Sequence, residues 1–385
     1  MQAEESGQYE RGALAEVRRI ARSFHALTSG WWSGSTFWQA WILTFALGAS
    51  LFVSQGINVL ANRWNGWFFD ALEKRDGAAL WQTVAILPFL VFCAAGIGVC
   101  IVLSRETLQT RWREWITRRM LDLWLGASRF QRLKASGNEP ANPEYRIADD
   151  VRMTIEPLTD LVIGLFSAVI AAIAFISILW SVGGSFTLKI GGAEIYIPAY
   201  FVFAAVCYGV LTSGIIAIIG RSLIWKVAAR NEAEAAFRST LTLLRDKAEE
   251  VAASRRSQAE YENALSTYDR VVRRWLNVIR THGHITWITN SNALMIASVP
   301  LMLAAPKYLA GELTLGEVVR IAGAFATVQA AISWLVDNFR VIALWAASAR
   351  RVVELAESLE ALDAKAPDEG SVSAAPAAAP ASPGE

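Results

Sequence analysis

Histidine and cysteine are both scarce in this chain of 385 residues, which contains three of each. The cysteines lie in apolar runs without a CxxC spacing, so we expect neither a disulfide framework nor a cysteine-ligated metal. Charged residues make up only 18% of the chain, and a net charge of +1 provides no basic excess for a nucleic-acid partner. The composition therefore argues against a disulfide-stabilised protein and against a nucleic-acid binder.

Catalytic and nucleotide-binding motifs are missing as well. No G-x-x-x-x-G-K-[ST] phosphate loop, Gly-rich dinucleotide fingerprint, nucleophile elbow or H-E-x-x-H helix occurs. His282 and His284 are two residues apart, a spacing at which helical side chains point in different directions. We therefore expect no catalytic residue, no metal site and no cofactor bound by this chain, which is predicted not to be an enzyme.

Long apolar runs are what the sequence has instead. Hydrophobic residues make up 54% of the chain, and 16 of its residues are tryptophan. A helix that crosses a bilayer needs roughly 20 mostly apolar residues. Six stretches meet that requirement, at 38–60, 80–104, 160–182, 195–220, 285–305 and 317–342. The sequence thus predicts an all-α membrane protein with six transmembrane helices.

Lysine and arginine are distributed unequally between the segments that join these spans. The N-terminal segment and the two long segments after spans two and four hold 26 of them, whereas the opposite loops hold five. Because positive residues accumulate on the cytoplasmic side, both termini are predicted to be cytoplasmic. The two basic segments, of about 55 and 65 residues, show helical spacing and are expected to extend the spans into the cytoplasm.

The sequence divides into four regions on this reading. They are a cytoplasmic N-terminus with an interfacial segment (1–37), a transmembrane domain (38–342), a cytoplasmic helix (343–363) and a disordered tail rich in Ala and Pro (364–385). The cytoplasmic helix carries residues at spacings of three and four that are expected to pack along one face, namely Leu344, Ser348, Val352, Leu355, Leu359 and Leu362.

Polar residues recur at helical spacing inside three of the spans. They are Ser54, Asn58 and Asn62 in or just after the first span, Asn290 in the fifth, and Gln329, Ser333 and Asp337 in the sixth. Such stripes either line a hydrated cavity or hydrogen-bond between helices, and the sequence leaves both open. Asp337 would be structural if Arg340 neutralised it, and could carry protons if it titrated.

A short helical turn is marked between the second and third spans. Asn142 is placed to cap it, Pro143 suits its first position, and Glu144 adds a charge that is favourable there. Pro157 is expected to end the piece before the third span. The turn is either a solvated connection or a docking element for a partner.

Several motifs together resemble a known transporter family. The stretch Asn62-x-Trp64-x-x-x-Phe68-Phe69-Asp70 is similar to the motif after the first span of the SbmA/BacA peptide transporters and of bacterial ABC half-transporters related to the peroxisomal ABCD group. The remaining matches follow in the family's order: Asn142-Pro143-x-x-Arg146-Ile147-x-x-Asp150, Asn231-Glu232-x-Glu234 with Ala248-Glu249-Glu250, Pro306-x-Tyr308-x-x-Gly311, and Ser333-Trp334-x-Val336-Asp337.

This resemblance implies an ABC exporter-type transmembrane domain that forms a homodimer in a bacterial inner membrane and works by alternating access. Relatives move peptides, peptide-like antibiotics, cobalamin or acyl-CoA. The resemblance also assigns residues for coupling to an ATPase, namely Tyr145, Arg146, Asp149 and Asp150 in the first cytoplasmic element and Glu232, Glu234 and Glu249 in the second.

The sequence departs from the pattern of the fused half-transporters after the sixth span. An ATPase domain is expected there, and the Ala/Pro-rich tail occupies that position instead. Transport could then be powered by a separate ATPase chain or by the proton gradient. In the first case, ATP would act only through that partner ATPase. A truncated remnant or a non-transporting membrane scaffold is the alternative function.

Overall fold

The structure is a computed structural model that describes residues 18–137, 139–190, 193–249 and 257–364. The predicted disorder of the tail lies outside the described residues from position 365 onward. Residues Glu250 to Ala252 of the second cytoplasmic motif also lie outside them.

Helices account for nearly all of the described chain. The first, α1, is described over residues 18–28. The others are α2 (Gly30–Ser33), α3 (Phe37–Glu73), α4 (Gly77–Leu125), α5 (Arg129–Ala135), α6 (Pro143–Tyr145), α7 (Val151–Gly183), α8 (Tyr200–Asp246), α9 (Ser257–Leu309), α10 (Leu315–Asp337) and α11 (Phe339–Ala364). A π-helical turn, Arg146–Asp150, joins α6 to α7.

Within the described residues, six helices are long and apolar enough to cross a membrane, which confirms the predicted all-α membrane fold. Three of them are much longer than a bilayer requires, since α4 has 49 residues, α8 has 47 and α9 has 53. At about 1.5 Å per residue α9 is about 80 Å long, whereas the hydrocarbon core is about 30 Å thick. More than half of such a helix must therefore lie outside the apolar layer.

An antiparallel hairpin interrupts the helical pattern between α7 and α8. Its strands are β1 (Ser185–Ile190) and β2 (Ala193–Pro198), with Ser185 opposite Pro198. The predicted start of the fourth span, at residue 195, is therefore wrong, and the helix begins at Tyr200. The missed signal is Gly191-Gly192 between two short runs rich in aromatic and β-branched residues, which is typical of a hairpin.

The described chain forms two compact units. The first comprises residues 18–47, 102–161 and 340–364, and the second comprises 48–101 and 162–339. In the first unit, Val352, Leu355 and Leu359 of α11 are completely buried, which confirms the predicted apolar face of this helix. The prediction that Leu344 belongs to the same face is wrong, because its side chain is 59% exposed.

Tryptophan side chains hold the N-terminal helices within the first unit. Trp31 is 1% exposed and stacks on Trp112 at 6.3 Å between ring centroids, while Trp32 meets the same ring edge-on at 4.9 Å. Phe24 of α1 completes the cluster at 6.4 Å from Trp112. The segment predicted to be interfacial therefore contributes to a packed core, and Trp38, 76% exposed, lies outside that core.

The second unit has its core where α7, α8, α9 and α10 meet. Leu179, Phe201, Ile321 and Phe325 are completely buried there. Gly209 lies so close to Ile332 that a Cβ would come within 2.9 Å of its Cδ1, so a larger residue at this crossing of α8 and α10 would need the Ile332 side chain to shift. The last apolar helix ends at Asp337, and α11 begins two residues later at Phe339. The predicted sixth span, 317–342, is thus not one continuous helix.

Candidate functional site

Three polar side chains of α3 bind the first turns of α10, and we call this set of interactions the α3–α10 contact. Asp70 Oδ1 accepts a hydrogen bond from the backbone N–H of Gly316 at 2.9 Å, and Glu73 Oε2 accepts one from Leu315 N–H at 2.9 Å. Asn62 Nδ2 donates to the carbonyl oxygen of Arg320 at 3.1 Å. The first N–H groups of a helix have no partner within the helix, and negative charge is favourable there. The first family motif thus anchors the last membrane-spanning helix.

The capping of α10 is completed from its own sequence. Thr314 accepts a hydrogen bond from Glu317 N–H at 3.2 Å, and the Glu317 side chain accepts one from Thr314 N–H at 2.9 Å. This reciprocal pair is a capping box. Together with Asp70 and Glu73, it satisfies successive N–H groups at this helix end.

Replacing Asp70 tests the stabilisation that the capping carboxylate provides. We expect Asp70→Ala to lower the free energy of unfolding by about 1 kcal/mol, since it removes one cap and one charge at a helix N-terminus. Thermal unfolding of the purified protein in detergent measures the effect. Asp76→Ala is the matched control for a different helix, because Asp76 accepts hydrogen bonds from Ala78 and Ala79 at the start of α4. If Asp70→Ala left the unfolding temperature unchanged, the capping role would be disproved.

The other polar residues of α3 differ from one another in burial and in hydrogen bonding. Gln55, which the sequence reading left out of the site, is buried and donates to Ser167 Oγ of α7 at 2.8 Å. Asn58 is exposed and donates to Gln55 Oε1 at 3.4 Å. Ser54 is half-buried. The stripe therefore includes both an interhelical bond and a residue that faces outward.

The predicted polar residues of α10 and α9 are divided in the same way. Gln329 and Ser333 are buried, and Ser333 Oγ donates to the carboxylate of Asp337 at 2.9 Å, while Asp337 is exposed. Asn290 is exposed in a shallow groove on α9, beside Thr286 and Trp287. Within the described residues, Asn62 is the predicted polar residue that joins α3 to α10, and it binds Arg320, which lies outside the predicted stripe of α10.

The turn of residues 143–150 has the predicted position but a different cap. Pro143 occupies the first helical position as expected. Asn142 has a left-handed backbone, with φ of 51°, and its side chain caps nothing; its carbonyl oxygen instead accepts from the N–H of Tyr145 at 3.1 Å. The prediction that Pro157 ends the piece is also wrong, because this residue lies inside α7.

The charged residues of this turn are bound to α11 of the same unit. Asp150 is completely buried and accepts two hydrogen bonds from Arg351, at 2.6 and 2.8 Å. Arg146 donates to the carbonyl oxygen of Arg351 at 2.9 Å and contacts Glu354 at 3.3 Å. Tyr145, 48% exposed, and Asp149, which pairs with Arg152 at 3.5 Å, remain near the surface.

Two groups in this arrangement, Arg351 and Glu354, have pKa values shifted in the direction that favours the charged form. Its hydrogen bond with Asp150 raises the pKa of the Arg351 guanidinium. Burial raises the pKa of the Glu354 carboxyl, but hydrogen bonds from Arg350 and Arg146 outweigh burial and leave that pKa below its ordinary value. Charge-assisted hydrogen bonds therefore join the turn to α11 at neutral pH.

The second predicted coupling region lies on α8 and packs against α9. Glu234 Oε1 accepts a hydrogen bond from the indole N–H of Trp275 at 3.0 Å, and the guanidinium of Arg230 lies 4.5 Å from the centre of that ring. Glu232 and Glu249 are exposed. A groove beside this contact is lined by Phe237, Tyr268 and Trp275, an apolar surface outside the predicted spans.

Comparison with known proteins agrees with the motifs and the fold. Residues 27–309 match the family described as ABC transporter transmembrane region 2. The chain is 24% identical over 350 residues to the Inner membrane ABC transporter ATP-binding protein YddA of Escherichia coli K12, covering 89% of this chain and 62% of that protein. It is 24% identical over 348 residues to the chloroplastic ABC transporter D family member 2 of Arabidopsis thaliana, covering 90% of this chain and 47% of that one.

A third relative, an uncharacterized ABC transporter ATP-binding protein of Synechocystis, is 27% identical over 324 residues and is covered to 47% of its length. The chain thus spans about half to three-fifths of the length of these relatives. The family match covers well over half of the chain, and six apolar helices accompany it. The protein therefore belongs to the ABC transporter transmembrane region 2 family and is a multi-pass membrane protein of the ABC transporter type.

Proposed function

We propose that the chain is the membrane-spanning subunit of a homodimeric transporter in a bacterial inner membrane, with both termini in the cytoplasm. It moves peptides or other hydrophilic and amphipathic solutes by alternating access, in the manner of the SbmA/BacA-like transporters. The unequal distribution of lysine and arginine supports this orientation.

The observation that carries the proposal is the exposure of polar side chains on membrane-spanning helices. Asn58, Asn290 and Asp337 are all exposed in the single chain. Polar and charged groups that face lipid are costly, by about 2.5–3.5 kcal/mol for a carboxylate at the centre of a helix. A second copy of the chain that encloses these faces around a hydrated chamber removes that cost.

ATP hydrolysis is proposed to drive the cycle through a docked ATPase. Tyr145, Asp149, Glu232 and Glu249 reach the surface of the helical segments beyond the predicted spans and would contact the ATPase. Asp150 and Arg146 are bound to α11 and would transmit movement of the turn to that helix. The aromatic groove beside Trp275 provides further apolar surface for a protein contact.

Peptide uptake into cells tests the proposal. We expect vanadate to abolish uptake of a fluorescent peptide and a protonophore to leave most of it, because ATP hydrolysis powers the cycle. Tyr145→Arg should reduce uptake at least tenfold at equal expression, whereas Asp337→Asn should have a small effect. Tyr261→Arg is the matched control, since Tyr261 is an exposed tyrosine of α9 outside the proposed docking residues.

Other outcomes would contradict parts of this proposal. If only the protonophore abolished uptake, and Asp337→Asn abolished it too, the proton gradient would be the energy source and Asp337 the titrating group. If no peptide entered through the protein under any condition, the non-transporting scaffold would replace the transporter.

A further inference from the structure

Arg320 is a charged residue of α10 whose guanidinium has no partner in the described chain. Its Nε is buried and makes no hydrogen bond, and no ion pair within 4.0 Å joins it to a described carboxylate. It follows the first residue of α10, Leu315, by five positions, or about 7.5 Å along the helix axis. It therefore lies within the predicted sixth span, where an unpaired charge is costly.

Three other charged residues of the same unit near the ends of these helices have partners. Asp70 and Glu73 accept backbone hydrogen bonds at the α3–α10 contact. Lys307 of α9 donates to the carbonyl oxygen of Gly183 at 3.2 Å and lies 3.6 Å from Glu312. Arg320 thus differs from Asp70 and Lys307, which are likewise not exposed and do have partners.

The α3–α10 contact accommodates Arg320 in a defined position. The aliphatic stem of its side chain lies against Gly66, so closely that a Cβ at Gly66 would overlap Arg320 Cδ. Asn62, one turn earlier on α3, is 7% exposed and bonds to the Arg320 carbonyl, yet its own Oδ1 has no hydrogen-bond partner. The Arg320 Nε donor and the Asn62 Oδ1 acceptor therefore both belong to residues of the α3–α10 contact, and neither makes a hydrogen bond.

We propose that Arg320 binds an anionic group of the transported solute, with a carboxylate as the chemistry that best fits it. The guanidinium presents a planar fork of donors that matches a carboxylate, and charged residues inside membrane helices commonly mark a substrate path. This inference rests on the proposed transport function and specifies its cargo as carrying at least one acidic group. A lipid phosphate shares the same chemistry and is separated from the solute by the test.

Binding of two matched peptides tests the proposal on the full chain in nanodiscs of zwitterionic lipid. The probes are a short fluorescent peptide with a free C-terminal carboxylate and the same peptide with a C-terminal amide. We expect the carboxylate form to bind about tenfold more tightly, the effect of a charge-assisted hydrogen-bonded pair. Arg320→Gln should erase this preference, and Arg320→Lys, which keeps the charge without the fork, should retain part of it.

Arg63 provides the matched control, because it is an exposed arginine beside Asn62 on the same helix. Arg63→Gln should leave the preference for the carboxylate peptide unchanged. If Arg63→Gln and Arg320→Gln lost the preference equally, it would come from the positive charge of the surface as a whole and not from a site at Arg320. Equal binding of both peptides to the unmodified protein would overturn the anion site but not the transport function. Binding of neither peptide would contradict the peptide cargo and the site together. If added anionic phospholipid alone removed the preference, Arg320 would be a headgroup site.

Discussion

Arg351→Ala is expected to lower the free energy of unfolding by about 3 kcal/mol or more, because it leaves the buried carboxylate of Asp150 without a countercharge. Asp150 is completely inaccessible to solvent and accepts two hydrogen bonds from the Arg351 guanidinium, which donates a third to Ser348 Oγ. Thermal unfolding followed by tryptophan fluorescence in nanodiscs measures the loss.

The reverse substitution should cost less, and this asymmetry is the stricter test. The side chain of Arg351 is 40% exposed, so in Asp150→Ala the guanidinium can turn toward water. We expect a loss of about 1.5–3 kcal/mol, comparable to removal of a charged hydrogen bond. The double variant should recover part of the loss seen in Arg351→Ala, since no buried charge then remains.

Arg118→Ala is the control for an ordinary ion pair. Arg118 bonds to Glu114 at 2.7 Å, as short as the buried pair, but its side chain is 76% exposed. Such exposed pairs contribute little to stability, so the unfolding temperature of Arg118→Ala should scarcely change. If Arg351→Ala and Arg118→Ala had equal effects, burial of Asp150 would not determine the strength of the link between the turn and α11.

Gly316→Ala is expected to be the most damaging single-methyl change in the membrane-spanning helices. A Cβ at this position would overlap the carbonyl oxygen of Gly66 and the carboxylate of Asp70. Backbone atoms cannot move aside as a flexible side chain can, so α3 and α10 would have to separate. We expect a loss of about 2–3 kcal/mol, at the upper end for overpacking, and a sharp fall in the yield of folded protein.

Gly56→Ala on α3 provides the contrast. Nothing lies within 4 Å of a Cβ built at Gly56, so the substitution gains helix propensity and meets no obstacle. It should be neutral or stabilise the protein by up to about 1 kcal/mol. Size-exclusion profiles and unfolding temperatures of the two variants compare them directly. Equal behaviour would show that α3 and α10 do not pack through Gly66 and Gly316.

Apolar run length and the side-chain period of a helix were enough to predict most of the fold. The six long helices and the buried face around Val352 and Leu355 follow from local patterns that each segment contains by itself. The hairpin at 185–198 was missed because an apolar run next to a predicted span was assigned to the span. The position of Asn142 was right, but its left-handed backbone is set by the surrounding chain and not by its capping propensity.

The interactions of the candidate site were harder to predict, since each joins residues that are distant in sequence. Asp150 was expected to face a partner protein. Nothing in the local sequence indicates that its carboxylate is bound by Arg351, which lies 201 positions later. Arg320 was missed because it stands alone, outside the four-residue spacing of the polar stripe in the same span. Spacing predicts which residues share a helix face, whereas the partner of that face depends on how the helices pack.

The α3–α10 contact has a consequence for synthesis of the chain. Asn62 and its partner Arg320 are 258 residues apart, so at about 5–20 residues per second the ribosome needs about 13 to 50 s to supply the second after the first. During that interval the amide of Asn62 and the carboxylates of Asp70 and Glu73 await the helix that they will bind. The newly made first span must therefore persist while these polar groups have no hydrogen-bond partner. A holding chaperone or the insertion channel itself would shelter it during that time.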